Sequence, residues 1–205
     1  MTPKKTNMPT QVELKEACVI AAQEVIAEHG VENLSLRDVA RKLGVSHQAP
    51  YRHYPSREHL LAEIMRRCYE QFATHLNARL HNPDPKIEMH ALGEQYLSFA
   101  LSHPLEYRLM FNTPWPTTAE HQELIDQANQ AFDTLRGVMT RVHGVKSPTQ
   151  AVDLDALFVW STMHGLAGIL SANCTTHLTL SPTVHKKAVA HVMDLIGRGL
   201  SDPTR

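Results

Sequence analysis

Residues 34–58 read LSLRDVARKLGVSHQAPYRHYPSRE, and the punctuation of this stretch decides the fold class. Ser35 places a side-chain oxygen just ahead of Leu36, Val39, Ala40 and Leu43, an i, i+3, i+4, i+7 set that marks one face of a short helix. Gly44 stops that helix where a positive φ is needed, and Ser46 caps another almost at once. The spacing predicts a further helix from His47 to about His53, with Pro50 in its fourth position, where the ring removes one early hydrogen bond. Two short helices joined by Leu43-Gly44-Val45-Ser46, with Val45 available to pack between them, have the anatomy of a helix-turn-helix.

Working outward, Thr10-x-x-Glu13 is a capping box, after which Leu14, Cys18, Ala21 and Val25 recur at helical spacing and Gly30 ends the run. A first helix from about Gln11 to His29 follows. On the other side, Tyr54-Pro55-Ser56 breaks the chain, Tyr54 reads as a core aromatic, and Ser56 caps again. Leu60, Leu61, Ile64, Cys68, Phe72 and Leu76 then define a long fourth helix to about Leu80, whose length suits a connector between domains. Asn82-Pro83-Asp84-Pro85 reads as a linker. Beyond it the pattern predicts helices at about Ile87–His103, Leu105–Phe111, Ala119–His143, Pro148–Ser171 and Pro182–Leu200, with Ser147-Pro148 and Ser181-Pro182 placing Pro at the first helical position. No two-residue alternation and no Asn-Gly or Asp-Gly turn is present. The expected protein is all-α with about nine helices: a helix-turn-helix domain over residues 10–57, the fourth helix (57–80) as connector, and a C-terminal domain over 82–205.

Composition narrows the function. The 205 residues are 42% hydrophobic and 20% charged with nine Gly, ordinary globular usage. No run approaches the roughly 18 apolar residues of a membrane span, and polar Met1–Gln11 has no apolar stretch behind Lys4 and Lys5, so a cytoplasmic protein is expected. Cys18, Cys68 and Cys174 are odd in number and far apart, which reads as three reduced thiols. Of the 14 His, no two stand three or four residues apart, so no single helix face offers a metal pair, ligands from separate helices being the alternative. Neither metal nor cofactor is expected, and the absence of G-x-S-x-G, Walker, dinucleotide and H-E-x-x-H motifs argues against an enzyme.

The net charge of −1 is unevenly spread. Ser35–Arg67 holds seven basic residues (Arg37, Arg41, Lys42, Arg52, Arg57, Arg66, Arg67) against three acidic ones, whereas Cys68 onward holds ten against thirteen. A locally basic helix-turn-helix points to double-stranded DNA, with the second helix entering the major groove by its N-terminal residues. His47 and Gln48 hold that position: Gln48 suits an adenine edge, His47 a guanine or phosphate, and Ala49 a thymine methyl. Arg37, Tyr51, His53 and Arg57 suit phosphates.

These same residues carry a resemblance. Leu34 to Ser46, followed by Ala49-Pro50-Tyr51-Arg52-His53-Tyr54-Pro55-Ser56-Arg57-Glu58, resembles the TetR (tetracycline-repressor-like) transcription regulators over about Gln11 to Arg67. The resemblance implies a three-helix DNA-binding domain with contacts from Ser35, Arg37, His47, Gln48, Ala49, Tyr51, His53 and Arg57, where Arg57 stands in place of a commoner Lys. It also implies a divergent regulatory domain, with the last two helices forming a homodimer. Trp160-Ser161-Thr162-Met163-His164-Gly165 resembles the W-x-x-x-H-G signature of one C-terminal domain type, and His103–Phe111 agrees with it.

The C-terminal half concentrates aromatics and thioethers. Tyr96, Phe99, Tyr107, Met110, Phe111, Trp115, Phe132, Met139, Trp160, Met163 and His164 are the candidate lining of a site for a small apolar or amphipathic effector, with His164 as its polar group. A histidine hydrogen-bonded to a neighbouring helix is the competing reading for His164. Gly165 and Gly168 inside a long helix point to a close helix approach or a pocket floor. The expected regulator is a repressor, binding a pseudo-palindromic operator as a dimer and released by the effector. The alternative is a DNA-binding regulator without small ligand, controlled by a protein partner, by concentration, or by thiol or metal status.

Overall fold

The helix over residues 36–43 begins and ends where its sequence supplies a cap, Ser35 ahead of it and Gly44 behind it. In the computed structural model, which describes residues 11–79, 81–144, 148–172, 178–179 and 181–200 (the side chains of Gln11, Thr118 and His185 excepted), there are eight α-helices and no strand among the described residues. They are α1 (Gln11–His29), α2 (Leu36–Leu43), α3 (Arg57–Asn77), α4 (Pro85–Ser102), α5 (Pro104–Phe111), α6 (Gln122–His143), α7 (Thr149–Ser171) and α8 (Pro182–Gly199). Short 3₁₀ turns occupy Val31–Asn33, Pro50–Arg52 and Thr118–Glu120. The all-α fold read from the periodicity is the observed one. Thr10, Leu80, Ser147 and Cys174 lie outside the described residues.

The described residues up to Cys68, together with Arg108–Ile125, form one compact unit. Tyr69–Tyr107 and the described residues from Asp126 onward form the other, so the division falls inside α3. In the first unit α1 packs on α2, and Cys18, Ala22, Ile26, Leu36, Val39, Leu60, Ile64 and Met65 are buried. Tyr54 is buried as expected, its hydroxyl donating to the Lys15 carbonyl at 3.4 Å. In the second unit α4 packs against α7 and α8, burying Leu92, Phe99, Val138, Met139, Ala156, Met163 and Ile196.

Four local readings are corrected. The segment predicted as a helix from His47 to His53 is a turn followed by the 3₁₀ turn Pro50–Arg52. In an α-helix beginning here the Ser46 carbonyl would receive the N–H of residue 50, which proline lacks. It takes the Ala49 N–H instead, at 2.9 Å, and the i−3 pattern continues with Arg52 to Ala49 and His53 to Pro50. Second, Asn82-Pro83-Asp84-Pro85 is a helix entrance as well as a loop: Asp84 Oδ1 accepts from the Lys86 N–H at 2.9 Å and Pro85 is the first helical residue. Ser181-Pro182 does the same for α8, whereas at α7 Pro148 is itself the cap position and Thr149 the first helical residue.

Third, α3 ends at Asn77, short of the expected Leu80. Fourth, a Cβ on Gly165 or Gly168 would meet nothing within 4 Å, so neither glycine is required by a contact among the described residues. The close approach is at Gly93, where a Cβ would collide with the Met193 side chain at the α4–α8 crossing.

Candidate nucleic-acid interface and buried polar clusters

Three devices hold the helix-turn-helix. Ser35 Oγ accepts from the Asp38 N–H at 3.1 Å and donates to the Asp38 carboxylate at 2.5 Å, closing a box over the first turn of α2. Gly44, at φ 66°, ends α2 with its N–H on the Arg41 carbonyl, while the Val45 N–H reaches Ala40. The Arg57 guanidinium donates to the carbonyls of Val31 (2.6 Å) and Leu34 (3.1 Å), tying the start of α3 to the loop ahead of α2.

These contacts redistribute the candidate DNA residues. Arg37, His47, Gln48 and Tyr51 are exposed, whereas Ser35, Ala49, His53 and Arg57 are half-buried. Ser35 and Arg57 already use polar atoms on backbone groups, and His53 Nε2 is buried without a hydrogen-bonding partner among the described residues.

Most of the basic excess is also spent internally, which sequence counting does not reveal. Lys42 bridges Glu24 (3.2 Å) and Glu28 (2.8 Å), linking α2 to α1, and Arg41 pairs with Asp38. Arg66 and Arg67 share Glu63, and Arg67 also reaches Glu16 at 2.6 Å. Burial works to raise the Glu63 carboxyl, but hydrogen bonds from these two arginines carry it below its ordinary value. Of the seven cations in the segment, Arg37 and Arg52 are exposed and have no ion-pair partner among the described residues.

In the second unit, three of the predicted effector residues meet. The Tyr107 hydroxyl lies 2.6 Å from His164 Nδ1 and 2.9 Å from the Tyr96 hydroxyl, and Tyr96 lies 3.3 Å from the same nitrogen. Burial pushes both phenols up, Tyr107 to about 12, and pushes His164 below its ordinary value. A neutral imidazole accepting at Nδ1 from Tyr107, which accepts from Tyr96, satisfies all three groups. The hydrogen-bonded reading of His164 is the geometry observed. Phe132 and Trp160 pack at 5.4 Å, while Phe99, Met139 and Met163 are core. Met110, Phe111 and Trp115 belong to the first unit, with Met110 buried and Trp115 exposed.

A second buried cluster escaped sequence reasoning. Glu88, on α4, is almost fully buried and accepts from Arg79 (2.7 Å), from Arg141 and from the His81 ring (3.1 Å). Arg79 also donates to the Leu76 carbonyl at 3.2 Å and to Asn77 Oδ1 at 3.1 Å, and a cavity of about 550 Å³ opens beside the cluster. Charge count alone carries no sign of it, because the partners come from the segment between α3 and α4 and from α6.

The thiols of Cys18 and Cys68 are buried, and burial raises the Cys18 thiol. That makes Cys18 a poor redox sensor. No described helix is long and apolar enough to cross a membrane.

Residues 19–64 match the family described as "Bacterial regulatory proteins, tetR family", and residues 89–195 match "Tetracyclin repressor-like, C-terminal domain". The chain is 26% identical over 116 residues to the HTH-type transcriptional regulator Rv1816 of Mycobacterium tuberculosis, covering 55% of this chain and 49% of that protein. It thus spans about half the length of the first curated relatives it matches. It is 23% identical to the HTH-type transcriptional activator FasR of Mycolicibacterium smegmatis, over 80% of this chain and 77% of that one. A solved protein of unknown function from Rhodococcus sp. RHA1 shares the fold at a TM-score of 0.76 and 24% identity, over 98% of this chain and 100% of the other.

Proposed function

The chain belongs to the TetR family of DNA-binding transcriptional regulators, and from that premise we propose that it is a cytoplasmic homodimeric repressor of a pseudo-palindromic operator. The observation that carries this reading is the row of exposed groups, Arg37, His47, Gln48, Tyr51 and Arg52, on a helix-turn-helix whose Ser35 and Arg57 are engaged in holding its shape. Gln48 and His47 read base edges, Arg37, Tyr51 and Arg52 hold phosphates, and Ser35 and Arg57 act through the backbone they position.

Dimerisation is supported by α7 and α8. Leu154, Leu157, Phe158, Gly165, Gly168 and Ile169 recur at helical spacing on an exposed stripe of α7, continued by Val184 and Leu195 on α8. Gly165 and Gly168, where a Cβ would meet nothing within 4 Å among the described residues, are accounted for by a second copy approaching there. Two recognition segments about 34 Å apart then read half-sites one turn apart. Leu157→Glu with Ile169→Glu should convert the protein to a monomer in light-scattering measurements. A mass still twice that of the chain would remove this interface.

An effector acts on the second unit, where an apolar, Met-containing interior surrounds the Tyr96–Tyr107–His164 cluster, and α3, running through both units, carries the change towards the helix-turn-helix. The proposal predicts the salt dependence of binding to DNA from the gene's own upstream region. With Arg37 and Arg52 free in each protomer, log K should fall against log salt with a slope of about −4, rather than the roughly −12 expected if all seven cations of both protomers met phosphates. Titration by fluorescence anisotropy at several salt concentrations, beside a scrambled fragment, measures both slope and specificity. Equal binding to the two fragments of upstream DNA and scramble, with no operator recovered in a genome-wide pull-down, would overturn the reading. Transcription from the bound promoter in vitro decides between repression and the activation named for the FasR relative.

A further inference from the structure

We propose that His59, Glu120 and His121 form a binding site for a divalent transition-metal ion of the zinc class. Histidines far apart in sequence are brought together by the first unit: His59 lies in the first turn of α3, Glu120 ends the Thr118–Glu120 turn, and His121 immediately precedes α6. One ligand atom from each lies within 4.8 Å of the others, and the two rings stand edge to face at 5.0 Å. Tetrahedral bonds of about 2.0–2.1 Å set ligand atoms roughly 3.3 Å apart, so side-chain rotation of an ångström or so closes the set.

His121 is nine-tenths buried, and its Nε2 is shielded from solvent without a hydrogen-bonding partner among the described residues. An orphaned buried imidazole nitrogen forfeits the hydrogen bonds it would make in water, and a bound cation is one of the few things that repays that loss. A cavity of about 360 Å³ is lined by His59, Glu120 and His121, and also by His53, whose Nε2 is likewise buried without a hydrogen-bonding partner among the described residues. His59 Nδ1 lies 2.9 Å from Ser56 Oγ, the outer partner that fixes a ligating imidazole and leaves its Nε2 for a metal. Glu120 is exposed, which gives an ion a way in.

The donor chemistry selects the metal. Two imidazoles and one carboxylate suit Zn²⁺ or Co²⁺ and not the all-oxygen shells of Ca²⁺ and Mg²⁺, and three protein donors leave a fourth position for water or His53. Ligation clamps the start of α6 to the first turn of α3, two residues after Arg57, the side chain that anchors the helix-turn-helix. The site does not depend on the DNA-binding reading.

The test uses the full chain, stripped of metal by chelator and titrated with Co²⁺ and then Zn²⁺. Expected are one equivalent per protomer, the intense visible bands of four-coordinate Co²⁺, displacement of Co²⁺ by Zn²⁺, and a rise of several degrees in the unfolding midpoint on adding Zn²⁺. His59→Ala, His121→Ala and Glu120→Gln should each weaken binding by roughly 100-fold or more, while His90→Ala, on exposed α4 surface, changes nothing. Circular dichroism without metal verifies that each variant folds. Should His121→Ala fail to fold, Glu120→Gln, which alters one exposed group, carries the test. Wild-type binding no tighter than that of the His59→Ala/His121→Ala double variant, or a Glu120→Gln variant with unaltered affinity and Co²⁺ spectrum, would overturn the assignment.

Discussion

Replacing Arg37 and Tyr51 together by alanine is expected to weaken operator binding by roughly 100-fold or more while leaving the protein folded. A charge-assisted hydrogen bond to phosphate contributes about 1.5–3 kcal/mol, and a two-fold dimer loses each contact twice. Removing Arg37 from both protomers should also flatten the salt dependence by about 2, from about −4 to about −2, because two fewer counterions are released. Both side chains are exposed, Tyr51 at 46%, and the core of the helix-turn-helix is made by Leu36, Val39, Ala40, Pro50 and Tyr54. The unfolding midpoint should therefore hardly move, since surface substitutions away from caps and cores usually cost within about 0.5 kcal/mol. Anisotropy titration and thermal unfolding of the same samples check both halves of the expectation. Wild-type affinity in the double variant would show that these residues do not face DNA. Arg57→Ala provides the contrast: it frees the carbonyls of Val31 and Leu34, so its loss of DNA binding should come with a lower unfolding midpoint.

The second large effect is expected from Glu88. Its carboxylate is buried between Arg79 and Arg141, and the Arg79 side chain is itself only 7% exposed. Glu88→Ala strands a buried guanidinium, a change that costs about 3–5 kcal/mol and lowers the unfolding midpoint of a chain this size by roughly 10 °C. Glu88→Gln keeps the shape and loses only the charge, so it should fall between the two.

Burial opposes ionisation of Glu88, but hydrogen bonds from Arg141 and Arg79 prevail and bring its pKa down from 4.5 to about 2. The folded carboxylate therefore stays ionised at acidities where the unfolded one is already protonated. Its contribution, about 3 kcal/mol, is complete above pH 4.5 and is lost as pH falls from there towards 2. Denaturant unfolding at stepped pH should show a decline through that window in the wild type and a much shallower one in Glu88→Gln. Parallel declines in the two proteins would assign the acid sensitivity elsewhere.

Such couplings mark where reading the chain stops. The capping serines at 35 and 181, the left-handed Gly44, the buried face of α3 and the all-α class depend on residues within a turn or two of one another, and all are legible in the string. The helix predicted after Ser46 fails for a local reason too, since the missing N–H of Pro50 matters more in a segment too short to recover the bond further along. The apparent basicity of the segment was misleading because Lys42 and Arg67 meet acids 14 and 51 positions away.

What the sequence determined by itself is the helical class, the helix-turn-helix and the family, since capping, periodicity and motif spacing are short-range properties that survive without the rest of the chain. Only the tertiary structure decided which cations of the basic segment are paired with acids, that His164 is joined to Tyr96 and Tyr107, that Glu88 is clamped by two arginines, and that His59 meets Glu120 and His121. Each of these brings together side chains from separate elements of the chain, and that closeness is set by how whole helices pack, a quantity no local window of residues contains.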